Sequence, residues 1–171
     1  MFATRLRTAL LVALTAGCAS VLLAKVTLSV ANDSAVGHVS GALIACAIDL
    51  SQGTFYRPLY AEETGYGGTR FFPLYFVLQA ALLRLTGMPI ASGHAISVFA
   101  GLLLLAMTML FLRQQGAGRW WSVLMVVVLL SAGQVQYGIA SVRSDVLSPA
   151  LNVAGLCIYL SRLPAAHRRM L

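Results

Sequence analysis

The sequence predicts an all-α integral membrane protein with about four transmembrane helices and two interfacial helices. Hydrophobic residues make up 59% of the 171 residues and charged residues only 10%, and the mean hydropathy is +0.84. This composition is typical of membrane proteins and not of soluble domains. Several apolar runs also approach the ~20 residues that cross a bilayer as a helix. The stretch after the first run is, in contrast, aromatic, basic and rich in turns.

The net charge of +7 does not indicate nucleic-acid binding. The arginines stand at the ends of apolar runs and not in one patch, and this distribution is the one that orients membrane helices. Three cysteines are far apart in apolar surroundings, so their spacing indicates neither a disulfide framework nor a metal motif. We interpret them as small buried hydrophobic residues. They are Cys18, Cys46 and Cys157.

The first predicted span covers 8–30 and follows Arg5 and Arg7. This basic flank places the N-terminus in the cytoplasm. A secretory signal is the alternative, because residues 15–18 resemble a lipoprotein cleavage site. The apolar run continues past Cys18, which favours an uncleaved span.

The segment 31–92 is predicted to be an extracytoplasmic loop that begins with an interfacial helix. Asn32, Asp33 and Ser34 are residues that start helices. Apolar residues then recur at helical spacing, while His38 and Asp49 fall on the opposite face. We interpret this segment as a helix on the membrane surface. Its apolar positions are Val36, Val39, Leu43, Ala47 and Leu50.

Residues 53–72 form a loop with many aromatic and basic side chains. Pro58 and the pair Gly67 and Gly68 predict turns. We interpret the loop as the lid or floor of a substrate site, and an aromatic belt at the membrane interface is the alternative. The candidate substrate-binding residues in it are Tyr56, Arg57, Tyr66 and Arg70.

A second short helix starts at Pro73 and is apolar for about a dozen residues, which suits an interfacial or re-entrant helix. The 12 basic residues of the chain decide between a surface helix and a span. If residues 73–86 lie on the surface, seven basic residues are inside and five outside, which makes 12. If they span, four are inside and eight outside. The first arrangement follows the positive-inside rule.

The remaining predicted spans are 93–112, 120–140 and 146–161. With the first span they place both termini in the cytoplasm. All acidic residues then share the outer compartment with the aromatic loop. They are Asp33, Asp49, Glu62, Glu63 and Asp145.

Asp145 is the strongest catalytic candidate, because an ionisable residue at a membrane boundary is by default a functional hypothesis. It stands in the segment SVRSD, 141–145, and the alternative is that it and Arg143 occupy a solvated turn. Asp49 and His38 are further candidates. The alternative for both is the wet face of a surface helix.

The order of these segments resembles the N-terminal part of the GT-C fold, the membrane glycosyltransferases that use polyprenyl-phosphate-linked sugars, such as aminoarabinose and mannosyl transferases. The resemblance covers about 30–162. It depends on the order of the segments, on the helix start Pro73-Leu74-Tyr75, and on the corner Arg143-Ser144-Asp145. The family also has two surface helices in its first outer loop.

The resemblance implies sugar transfer from a lipid-linked donor at the outer face of the membrane. Arg57, Arg70 or Arg143 would hold the lipid phosphate. Asp145, with Asp49 or His38, would act as general base or hold a divalent metal ion near the phosphate. The sequence has no nucleotide-binding GxxxxGK[ST] loop, in keeping with a lipid-linked donor.

The chain departs from the family pattern in two ways. The first acidic residue of the family lies near the start of the first surface helix, where this chain has His38. Family members also continue for many more spans, so we expect an N-terminal portion or a module that needs a partner chain. The alternative is a non-catalytic membrane subunit that packs through small residues. These are Ser97, Gly101, Gly133 and Gly138.

Overall fold

The computed structural model describes residues 2–32, 37–58, 60–62, 65–66 and 73–162. These residues form seven α-helices and one pairing of two-residue strands, β1 and β2, in the aromatic loop. The prediction of a helical protein is therefore confirmed. The elements are α1 (Phe2–Ala31), α2 (His38–Ser51), β1 (Tyr60–Ala61), β2 (Gly65–Tyr66), α3 (Leu74–Thr86), α4 (Pro89–Gln114), α5 (Arg119–Ser131), α6 (Gly133–Ala140) and α7 (Leu147–Arg162).

Two helices of the described chain are long and apolar enough to cross a membrane, judged by length and composition. They are the Leu6–Ala31 part of α1 and the whole of α4, Pro89–Gln114. The bent pair of α5 and α6 becomes a third candidate if it counts as one span. Helix α7 has 16 residues, short for a span. Four spans therefore stay a prediction.

The span predicted over 120–140 is divided into two helices in the structure. Helices α5 and α6 meet at Ala132 with a bend of 70°. Ala132 has extended backbone angles, φ −65° and ψ 122°, which end α5. The hydroxyl of Ser131 donates to the carbonyl oxygen of Val128 at 2.7 Å, which satisfies one acceptor at this helix end. After the bend, α6 packs against α4.

Helix α4 is the centre of the fold and contacts each of the other described helices. Close approach of α6 and of the segment after it depends on two glycines of α4. A Cβ at Gly101 would lie 2.4 Å from Ile139 Cγ1, and one at Gly93 would lie 2.4 Å from Val142 Cγ1. Small residues at such crossings allow the backbones to approach closely. The buried core around α4 includes Leu43, Tyr75, Ile96, Ala100, Leu104, Leu130, Ile139, Val142, Val146, Leu147 and Ala150.

The two short helices α2 and α3 pack on each other and on α4. Helix α2 buries Leu43 and Ala47 as its periodicity predicts, and Val39 and Leu50 are partly buried. Helix α3 starts after Pro73 and ends at Gly87, whose φ of 69° lies in the left-handed region that favours glycine.

Helix α3 is apolar on both its buried and its exposed sides. Tyr75, Phe76 and Ala80 are buried, while Leu74 and Leu78 are exposed. A helix that is apolar all round needs apolar surroundings on every side. This pattern suits the predicted position of α3 within the membrane interface.

Candidate functional site

The corner between α6 and α7, residues 141–146, holds the strongest catalytic candidate. The Nε atom of Arg143 donates to Oδ2 of Asp145 at 2.7 Å. The side chain of Asp145 is 54% exposed and that of Arg143 is 24% exposed. The Arg143 guanidinium also lies over the ring of Tyr137, 5.2 Å from its centroid, within range of a cation–π interaction. The sequence predicted both residues of this pair.

Burial and two neighbouring side chains determine the pKa of Arg143. Partial burial lowers its pKa, but interactions with the side chains of Tyr137 and Asp145 outweigh that effect and raise the pKa above its ordinary value. Arg143 is therefore a permanent cation. Its Nε–H is used by Asp145, while a guanidinium has five N–H donors in total. The corner can thus offer further donors to an anion.

A buried hydrogen-bond chain fixes the backbone of this corner. The hydroxyl of Tyr75 donates to the carbonyl oxygen of Gly93 at 3.0 Å and lies 2.8 Å from Oγ of Ser97. Oγ of Ser97 in turn accepts the backbone N–H of Arg143 at 3.2 Å. Burial raises the pKa of Tyr75 to about 12. The chain couples α3, α4 and the corner through side chains that are neutral at ordinary pH.

A cleft of about 330 Å³ opens next to the corner, between the start of α3 and the start of α7. Ser144 lines it from the corner, and Ser148 and Asn152 line it from one face of α7, where they are four residues apart. Asn152 and Ser148 are exposed in a helix that is otherwise largely apolar. Within α7, Ser148 and Asn152 are separated by about 6 Å along the helix axis at 1.5 Å per residue.

This polar cleft continues into an apolar groove of about 410 Å³ between α3, α4 and α7. The two share Leu74, Leu147 and Leu151 in their walls, so they form one surface with a polar and an apolar part. We call the whole surface the amphipathic cleft. The groove itself is lined by aliphatic and aromatic residues only, Leu74, Leu78, Leu82, Ala95, Ile96, Phe99, Leu103, Leu147 and Leu151.

The second predicted arginine–carboxylate combination forms at another place. Arg57 binds Asp49 through two contacts, Nε to Oδ2 at 2.6 Å and Nη2 to Oδ1 at 2.7 Å. The Asp49 side chain is only 13% exposed. This hydrogen bond raises the pKa of Arg57 above its ordinary value. Such a fork-to-fork pair fixes the loop after α2 onto the end of that helix.

Tyr56 belongs to a cluster of rings that packs the loop against α3. Its ring centroid lies 4.9 Å from that of Phe55 and 5.5 Å from that of Phe76, both in edge-on orientation. The structure therefore places this residue in a packing contact of the loop. The side chain of Tyr66 and the whole of Arg70 lie outside the described residues.

His38 and Asp49 stand at opposite ends of α2, about 16 Å apart along the helix axis at 1.5 Å per residue. The start of α2 lies beside Tyr137, because a Cβ at Gly37 would be 3.9 Å from Oη of Tyr137. His38 is exposed at this end. The structure thus brings the His38 end of α2 toward the Arg143 corner, and it keeps Asp49 with Arg57 at the other end.

The predicted divalent metal finds no donor set at this corner. Within the described ranges, no three His, Cys, Asp or Glu side chains come together as metal ligands. Asp145 is also bound by an arginine, a cation that competes with a metal ion for the same oxygens. A divalent metal ion therefore stays a prediction, and the mechanism proposed below uses none.

Sequence reasoning missed several residues of the site. Tyr75 was part of a motif but had no role, and Ser97 was interpreted only as a small packing residue. The interval of four between Ser144, Ser148 and Asn152 was a readable signal of a polar face. No local pattern, however, indicated that α3 would close the other side of the cleft.

The chain matches no family model, no curated protein and no solved structure.

Proposed function

We propose that the chain is an integral membrane protein that binds a polyprenyl-phosphate-linked sugar in the amphipathic cleft. In support, α1 and α4 are long and apolar enough to span, and the exposed side chains of α1 and α3 include many large hydrophobic residues. Water would make such a surface costly, whereas acyl chains would cover it. The positive-inside rule then favours four spans, with both termini in the cytoplasm and the Arg143 corner at the extracytoplasmic face.

This proposal depends on one observation. Beside the Arg143–Asp145 pair, the wall of the cleft changes from polar to apolar. An isoprenoid chain needs a long apolar groove, which the walls of α3, α4 and α7 offer. A sugar phosphate needs hydrogen-bond donors and a cation near the end of that groove. Ser144, Ser148 and Asn152 offer the donors from the wall, and Arg143 stands next to Ser144 in the chain. Ligand sites commonly combine an apolar wall with a few such polar groups.

The chemistry we assign to the corner is glycosyl transfer of the kind found in GT-C enzymes. Asp145 would take the proton of an acceptor hydroxyl as its oxygen bonds to the anomeric carbon of the sugar. The bond from that carbon to the phosphate oxygen breaks, and the phosphate keeps the electron pair. Arg143 would stabilise the negative charge on the leaving phosphate. Binding of the phosphate would also draw the guanidinium from Asp145 and free this carboxylate to act as a base.

Binding of a polyprenyl phosphate to the purified chain in nanodiscs tests the cleft. Ser148→Phe places a ring in its polar part and should weaken binding at least ~10-fold, because it fills space that the ligand needs. Val128→Phe is the control, since it adds a ring at an exposed position of α5, a helix that contributes no residue to the cleft. Binding that both variants leave at the wild-type level would refute the proposal.

A non-catalytic membrane subunit is the second candidate. One observation favours it, because Asp49 and Asp145 are both held in ion pairs, as structural carboxylates often are. The small residues first assigned to partner packing favour it less, since Gly101 and Gly138 are close to Ile139 and Val146 of this same chain. Asp145→Asn separates the two candidates. If Asp145 is the catalytic base, this variant should lose sugar transfer but still bind the lipid. A non-catalytic subunit has no transfer activity that the variant could lose.

A further inference from the structure

A second cleft, mainly apolar but with several polar side chains in its wall, lies between α1 and α6. It has a volume of about 360 Å³. Lys25, Ser29 and Asn32 line it from one face of α1, at spacings of four and three residues. Tyr137 and Ser141 line it from the other side, and Leu28 and Ala140 complete the wall. None of these residues lines the amphipathic cleft. We call it the Lys25 cleft.

Lys25 is the only lysine of the chain and stands inside the apolar stretch of α1. Its Nζ donates to Oε1 of Gln136, a buried side chain of α6, at 2.7 Å. An amide oxygen accepts a hydrogen bond but does not neutralise the charge. Within the described residues, the ion pairs are Arg57 with Asp49 and Arg143 with Asp145, so neither of those carboxylates serves Lys25.

No described carboxylate neutralises this ammonium, and an ammonium without a counter-charge is unfavourable within an apolar helix. It has three N–H donors, of which Gln136 uses one. The remaining donors lie beside a cleft whose other polar side chains are hydroxyls and an amide. Neutral donors around a cation are suited to an anion with several oxygens, such as a phosphate.

The apolar edge of the cleft indicates that such a phosphate belongs to a lipid. Leu28 is 62% exposed and borders the cleft. An acyl chain attached to the phosphate would cover this side chain, whereas a free phosphate would gain nothing from it. Lysine side chains near helix ends also extend toward the headgroup region, where the lipid phosphates lie.

We propose that the Lys25 cleft binds the phosphate of an anionic membrane phospholipid and so fastens α1 to α6. Gln136 orients the ammonium through its amide oxygen, and the phosphate occupies the open side of the cleft. The two clefts share no lining residue, and their one connection is Tyr137, which lines the Lys25 cleft and also contacts the guanidinium of Arg143.

The single lysine makes the test direct. Reductive methylation with ¹³C labels Lys25 and the N-terminal amine only, and methylation keeps the positive charge. We expect phosphatidylglycerol, added to the protein in a neutral detergent, to shift the Lys25 signal in a saturable way and to leave the N-terminal signal in place. Inorganic phosphate should cause a shift only at far higher concentration. A Lys25 signal that does not respond to phosphatidylglycerol, or that responds equally to inorganic phosphate, would overturn the lipid site.

Variants give an independent readout by native mass spectrometry of bound lipid. Lys25→Met keeps the length of the side chain and removes the charge, so phosphatidylglycerol should bind roughly 10-fold more weakly. Arg7→Met removes one charge from the other end of α1 and should change binding less than twofold. Equal losses in the two variants would mean that net charge alone attracts the lipid and would overturn the proposal.

Discussion

At the scale of single residues, Tyr75 connects the fold to the candidate site. Its hydroxyl bonds to the Gly93 carbonyl and contacts Ser97, which holds the backbone of Arg143. The catalytic candidate therefore depends on a residue 70 positions earlier in the chain than Asp145. The position of Arg143 and Asp145 in one corner could be predicted, because the two are close in sequence. The buried hydroxyl that supports them could not, because α3 and α7 meet only in the folded chain.

Tyr75→Phe should lower the free energy of unfolding by ~1–3 kcal/mol. The variant keeps the ring but leaves the Gly93 carbonyl and Ser97 without their buried partner. Reversible unfolding in mixed micelles measures the loss. Tyr159→Phe is the control, since Tyr159 is 60% exposed and should change stability by less than ~0.5 kcal/mol. Equal stability of the two variants would show that the Tyr75 hydroxyl does not contribute to the free energy of unfolding.

Tyr75 also predicts a loss of stability in alkali. Its pKa is raised from 10.0 to about 12 by burial, so below pH 10 both the folded and the unfolded chain keep the proton. Between pH 10 and about 12 only the folded chain keeps it, and stability falls by up to ~1.4 kcal/mol per pH unit. Tyr75→Phe should lose less stability than the wild type over this range. The other tyrosines are present in both proteins, so their effects cancel in this comparison. Equal slopes of stability against pH would contradict the raised pKa of Tyr75.

At the scale of helices, the sequence predicted most elements but not the break between α5 and α6. Residues 120–140 form one apolar run, and periodicity alone gives no reason to divide it. The break becomes favourable because it lets α6 leave the axis of α5 and press Ile139 against Gly101 of α4. A contact between distant segments overrides the local preference here.

Gly101→Ala should destabilise the fold through this contact. The added Cβ would lie 2.4 Å from Cγ1 of the buried Ile139 and force it to move, at a cost of ~1–3 kcal/mol. Gly155→Ala is the matched control in α7, where an added Cβ meets nothing within 4 Å. It should stabilise the helix by up to ~1 kcal/mol. Unfolding measurements that show the same sign for both variants would refute the close approach of α4 and α6.

At the scale of the whole molecule, composition was sufficient to predict a helical chain with membrane-like surfaces. It could not predict the amphipathic cleft, because α3, α4 and α7 reach it from separate parts of the sequence. Composition also could not predict that the two arginine–carboxylate pairs form at different places. Asp49 and Asp145 were expected to act together, but each is bound by its own arginine.

The proposed topology places the loop after α2 and the connector between α4 and α5 on opposite sides of the membrane. Cysteines introduced at Gln52 and Gln115, after replacement of the three native cysteines, report these sides. An impermeant thiol reagent should label Gln52→Cys in intact cells and Gln115→Cys only after permeabilisation, because the positive-inside rule keeps Arg113 and Arg119 in the cytoplasm. The reverse labelling pattern would show an inverted topology, in which the Arg143 corner lies at the cytoplasmic face.

The most direct test of the account compares the two arginine pairs in polyprenyl-phosphate binding. Arg143→Ala and Arg57→Ala each remove one guanidinium from one aspartate, so they match in charge and in chemistry. We predict that Arg143→Ala weakens binding at least ~10-fold, because this arginine stands beside the cleft, and that Arg57→Ala changes it less than twofold. Wild-type affinity in Arg143→Ala, or an equal loss in Arg57→Ala, would contradict a lipid-phosphate site at the α6–α7 corner.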